Sequence, residues 1–144
     1  MPNFPLVVPD VNVLVSGTTT SQTPPSQILQ AWRDGQIEIA TSLPILEDLS
    51  RVLRYPRVVE LTKMNDGEQT EYITTLQASA IVVPGTISVQ VSSDPDDNKL
   101  FSCAIESEAD YIISWDKKHV LSIGEYQGIK TITPGNFVKD VLGK

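Results

Sequence analysis

Four aspartates from distant parts of the chain, Asp10, Asp48, Asp97 and Asp116, sit in local settings that would aim them at one place. Asp10 follows the apolar run PLVVP and Asp116 follows YIISW, so each stands at the carboxyl end of a predicted strand. In open α/β sheets, ligands gather beyond those ends, beside a switch in strand order. Asp97 belongs to DPDDNK; on a helix continuing from Pro95 it shares a face with Leu100, Phe101 and Ala104, whereas Asp96 and Asn98 point to either side. A carboxylate on the apolar face of a first helical turn gains from the dipole but loses hydration, and it therefore wants a cation. Asp48, bracketed by Ile45 and Val52, borders the apolar stripe of its helix; the adjacent Glu47 lies nearly opposite that stripe and is the fallback. Asp94 is a further oxygen donor, direct or through water. Taken singly, each acid is read more simply as a turn residue or helix cap. Their joint placement selects the cation reading.

The elements needed to position these acids are visible in the patterning. PLVV is a buried-type strand that VNVLVS continues in β-branched residues, and a loop covers residues 17–23. A helix after Pro24 and Pro25 stops at Gly35, IEIAT is a second strand, and Ser42 caps the helix LPILEDLSRVLR, which ends at the Tyr55-Pro56 step. A further turn or two over 57–64, a helix from about Glu68 to Ala80 and a short strand IVV follow. TISVQV reads as an edge strand or an extended connection. SSDPDDNK opens a helix through about Glu106, YIIS is a strand, a helical turn spans His119 to Ile123, GIKTIT is the last strand, and TPGNFVKDVL is a closing helix. Continuous apolar strands separated by helices predict an α/β/α sandwich with a mainly parallel central sheet. Lone His119 reads as a polar turn residue, and Trp32 and Phe101 as core.

Composition narrows the field. At 144 residues and 40% hydrophobic content the chain has the size of one domain, 1–144, able to bury a core without staples. One cysteine, Cys103, and one histidine rule out a disulfide framework and a structural zinc cage. The start MPNFPLVVPD lacks a basic segment followed by an apolar one, and no run approaches a membrane span, so a soluble, cytoplasmic protein is expected. Eleven Lys and Arg against eighteen Asp and Glu leave a net charge of −7, which opposes a broad nucleic-acid docking face. Any polyanion must therefore meet bound cations or local basic groups, for which Arg51, Arg54, Arg57, Lys99, Lys117 and Lys118 are the candidates.

VVPDVNVLVSG, LPILEDLSRVLRYPRV, SSDPDDNKLFSCAIESEADYIISWDKKHVLSI and GIKTITPGNFV, in this order, resemble a PIN domain, in the branch of toxin components of toxin–antitoxin modules. The resemblance covers nearly the whole chain and is strongest at DVNVLVSG and at DPDDNK followed by ADYIISWD. It implies a parallel sheet whose acids bind Mg²⁺ or Mn²⁺ for hydrolysis of single-stranded RNA, with an antitoxin partner and, by analogy, a homodimer. The family's acids fall on Asp10, Asp48, Asp97 and Asp116, and its accompanying polar residues on Asn12 and Ser114. Val11 stands where threonine is usual, Trp115 where glycine is usual, and Asp48 where glutamate is usual. These departures keep open a domain that has lost catalysis and binds RNA or protein. A haloacid-dehalogenase-type phosphatase is disfavoured because Asp10-Val11-Asn12 lacks the second acid, and a receiver domain because its early acid pair and late lysine are not evident.

Overall fold

The computed structural model describes residues 4–19 and 21–144. The start of the leader reading, residues 1–3, and Thr20 of the predicted 17–23 loop lie outside the described residues. Among the described residues, six strands form one sheet in the order β3-β2-β1-β4-β6-β5. They are β1 (Leu6–Pro9), β2 (Glu38–Ser42), β3 (Ile81–Val83), β4 (Tyr111–Ile113), β5 (Glu125–Tyr126) and β6 (Ile129–Ile132). The pairings are parallel except that of β5 with β6. The helices are α1 (Val11–Ser16), α2 (Pro24–Arg33), α3 (Leu43–Val52), α4 (Pro56–Thr62), α5 (Asp66–Ser79), α6 (Pro95–Ser107) and α7 (Pro134–Asn136), the last running into a π-helical turn over Phe137–Val141.

Alternation along the strands divides the core. Val7, Ile39 and Ile113 face a cluster built with Leu14, Leu29, Leu49, Leu76 and Phe137. Val8, Ala40 and Ile112 face the opposite cluster, with Leu100, Phe101, Cys103 and Ala104 of α6. Both faces of the strands are thus covered, which is the α/β/α sandwich expected from their unbroken apolar character. Among the described residues no helix is long and apolar enough to cross a membrane.

Two readings need correction. The segment VNVLVS is helical, not a continuation of the strand. As a strand it would turn Leu14 to the same face as Asn12; as a helix it buries Val13, Leu14 and Val15 and leaves Asn12 exposed, so burial overrides β-branched preference. Second, a two-residue strand, β5, precedes the predicted last strand and is too short for residue patterning to mark; its hairpin turn is Gln127-Gly128, with φ of 51° and 85°, as a type I′ turn requires.

The TISVQV segment is an extended connection without a strand partner among the described residues. Side chains of α6 tie down its ends: Glu106 accepts from the Gly85 N–H at 2.9 Å, and Asn98 Oδ1 from the Val91 and Ser92 N–H groups at 2.9 and 2.7 Å. Gly85 has φ +81° and presses on Pro44, where a Cβ would come within 2.6 Å of the ring. The connection thereby returns the chain to the strand ends just where α6 begins.

Candidate active site

Strand register sets the first half of the site. Pairing of Val8 with Ile112 and Pro9 with Ile113 carries Asp10 and Ser114 off β1 and β4 side by side, at the point where the chain order reverses across the sheet. The buried Ser114 Oγ donates to Asp10 Oδ2 at 2.9 Å and accepts from the Asp116 N–H at 3.0 Å. One hydroxyl therefore orients the Asp10 carboxyl and anchors the backbone at Asp116. Burial pushes the Asp10 carboxyl above its ordinary range, opposed by the Ser114 hydroxyl and the nearby Val11 and Asn12 amides.

Asp116 is held the other way. Its Oδ1 accepts from the Lys118 and His119 N–H groups at 3.1 and 2.9 Å, and the bond from His119 leads in keeping this carboxyl below its usual value. The Lys117–Gly124 turn is thus wound around the last acid.

Helix α6 supplies the second half. Asp94 is its N-cap and accepts from the Asp96 N–H at 3.0 Å. Asp97, only 8% exposed, points inward, and its Oδ2 has no hydrogen-bond partner. Burial, followed by the charges of Asp116, Asp94 and Asp10, raises the Asp97 carboxyl to about 7. The folded state therefore holds this proton more tightly than the unfolded chain does. The stability it contributes is complete below the ordinary value of 3.8 and is lost as pH rises through about 7. In chelator, the melting temperature is expected to fall across that window; a flat profile in thermal denaturation would contradict this charge arrangement.

Asp48 lines the same cleft, with each oxygen ion-paired: Lys99 Nζ lies 2.8 Å from Oδ2, and Arg51 3.1 Å from Oδ1. Lys99 also reaches Asp96 at 3.4 Å. Glu47 is exposed and does not line the cleft, so the fallback acid is not brought to the site. Among the basic candidates only Arg51 lines it; Arg54 turns back to the Ser50 carbonyl at 3.2 Å, and Arg57, Lys117 and Lys118 are exposed outside it. Asn12 and Val11 are on the wall, and Trp115, 45% exposed, stands at the rim.

His119 was not among the expected site residues. Its Nδ1 lies 3.4 Å from Asp116 Oδ2 and 3.8 Å from Asp97 Oδ2, and ligand atoms of Asp94, Asp97 and His119 all fall within 4.8 Å of one another. A histidine three residues past a strand-end acid was the available signal, but its direction depends on the turn closed by Asp116.

The resulting cleft has a volume of about 480 Å³. A groove of about 600 Å³ between α2 and α5, lined by Trp32, Arg33 and Tyr72 with Glu68 and Glu71, gathers no comparable set of acids. Crowded carboxylates around an orphaned buried oxygen form an acidic cluster that fits a divalent cation, since positive charge would relieve their repulsion and satisfy Asp97 Oδ2 together.

A sequence profile of the PIN domain matches residues 6–118. No curated protein matches this chain significantly. Among solved structures, the chain is similar to one in the crystal structure of VapBC2 from Rickettsia felis bound to a DNA fragment from their promoter. The two share 10% identity with a TM-score of 0.56, over 89% of this chain and 98% of that one. At that identity the likeness speaks for the fold, and it agrees with the sheet and helix layers described above. With the profile spanning most of its length and the acids of the motifs gathered beyond the strand ends, the chain belongs to the PIN domain family.

Proposed function

We propose that this protein is an Mg²⁺- or Mn²⁺-dependent endoribonuclease that cleaves single-stranded RNA in the cytoplasm, as the toxin of a toxin–antitoxin pair. The observation that carries the reading is the buried, unpartnered Asp97 Oδ2 among Asp10, Asp94 and Asp116. Family membership supports nuclease chemistry, and the likeness to a chain of VapBC2 supports a protein antitoxin as partner.

Asp10, Asp97 and Asp116 are the principal cation-holding groups, with Asp94 beside them and Asp48 acting directly or through water. When bound, the ion supplies Lewis acidity toward phosphate and water. Ser114 fixes the direction of the Asp10 carboxylate, and the amides of the 117–119 turn fix Asp116. Arg51, at the wall, can meet a phosphate by exchanging its bond to Asp48; Lys99 screens Asp48; the exposed Lys117, Lys118 and Arg57, with Arg54 once released from the Ser50 carbonyl, would extend the path of a strand beyond the cleft. Trp115 presents its exposed ring where an unpaired base can stack.

The double ion pairing of Asp48 favours a second reading, a domain that binds RNA or a protein partner without cutting, because it withdraws one acid from the set. Cleavage of a labelled single-stranded RNA with Mn²⁺ separates the two. Cutting by the wild type that is lost with EDTA and in Asp10→Asn and Asp116→Asn supports the nuclease. Binding without cutting, or cutting unchanged in both variants, ends it.

A further inference from the structure

We infer that the His119 imidazole is itself a ligand of the cation at this site, making the centre a mixed oxygen and nitrogen one that favours Mn²⁺ or a similar transition ion over Mg²⁺. The inference rests on the cation-binding reading above and adds a donor of different chemistry to it.

Distance is the first ground. Nδ1 lies 3.8 Å from Asp97 Oδ2, too far for a direct hydrogen bond, and 3.4 Å from Asp116 Oδ2, long for one. Two ligands each about 2.0–2.2 Å from a common ion are separated by roughly 3–4.4 Å, depending on their angle. Both spacings fall in that interval. The second ground is the buried oxygen itself: Asp97 Oδ2 is shielded from water and accepts no hydrogen bond, and His119 Nδ1 stands 3.8 Å from it. The third is placement. The His119 N–H donates to Asp116 Oδ1 at 2.9 Å, and the next two amides bond the Asp116 carbonyl at 3.2 and 2.8 Å, so the turn holds the ring against the acids.

The choice of ion follows from ligand chemistry. Carboxylate oxygen alone suits Mg²⁺ and Mn²⁺ alike, whereas imidazole nitrogen favours first-row transition ions. Removing the ring should therefore weaken Mn²⁺ more than Mg²⁺.

His119 is the chain's single histidine, so in an untagged protein any imidazole signal is its own. Mn²⁺ bound to the full chain is examined by pulsed electron paramagnetic resonance for nitrogen-14 coupling, and Mn²⁺ and Mg²⁺ affinities by calorimetry. The wild type should show the coupling. His119→Ala and His119→Gln should lack it and weaken Mn²⁺ about tenfold, with Mg²⁺ changed less than about twofold. His119→Gln keeps a polar group for Asp116, and the wild-type spectrum decides even where His119→Ala folds poorly. Mn²⁺ bound without nitrogen coupling, or an unchanged Mn²⁺ to Mg²⁺ ratio in both variants, overturns the inference while leaving the carboxylate centre intact. Failure of the wild type to bind Mn²⁺ overturns both, and Asp97→Asn, expected to lose both ions, calibrates that arm.

Discussion

Asp97→Asn is expected to lower metal-dependent RNA cleavage by at least ~100-fold and, at the same time, to raise the melting temperature of the metal-free protein at pH 8. The two effects have one origin. Above pH 7 the folded protein must keep this carboxylate ionised in a buried position, facing Asp116, Asp94 and Asp10, while the unfolded chain bears no such burden. The amide is nearly the same shape, carries no charge, and offers Asp116 a donor in place of a like charge. Stability therefore rises, and the group that draws in the cation is gone. Thermal denaturation with EDTA and with Mn²⁺ checks both halves: the wild type should be stabilised by metal and Asp97→Asn should not. A variant that still gains stability from Mn²⁺ would remove Asp97 from the centre.

The largest loss of stability is expected from Phe101→Ala, about 3–5 kcal/mol in urea denaturation. Phe101 is fully buried, and its ring meets Tyr126 edge to face with centroids 5.9 Å apart. It lies one turn after Asp97 on α6, in the cluster that joins this helix to Val8 and Ile112 of the central strands. The cavity left by alanine would free the start of α6 to shift against β1 and β4, so Mn²⁺ affinity should fall even under conditions where the variant is folded. Unchanged affinity would mean that the capping around Asp94 holds the acids without support from the core.

The centre of the sheet was legible because its signals are local. An apolar run ending in aspartate announces a strand end, and the parallel pairing of β1 with β4 turns two such ends into neighbours. The inward direction of Asp97 was readable for a similar reason, since helical periodicity alone puts it on the face of Leu100 and Phe101. Legibility ended where orientation depends on contacts between distant segments. The helical state of 11–16 follows from the burial of Leu14 against other elements, which opposes the β-branched composition. His119 enters the site only through the turn that Asp116 organises. The sequence offers Arg51 and Lys99 as cations for phosphate, but a long side chain takes whichever partner the fold brings near, and here both pair with Asp48.

The sheet has a wide middle and very short margins: three residues in β3 at one side and two in β5 at the other. Among the described residues, neither bordering strand is long enough to recruit another chain by strand addition. Any self-association would therefore have to run through the side chains of helices and loops rather than through a sheet margin.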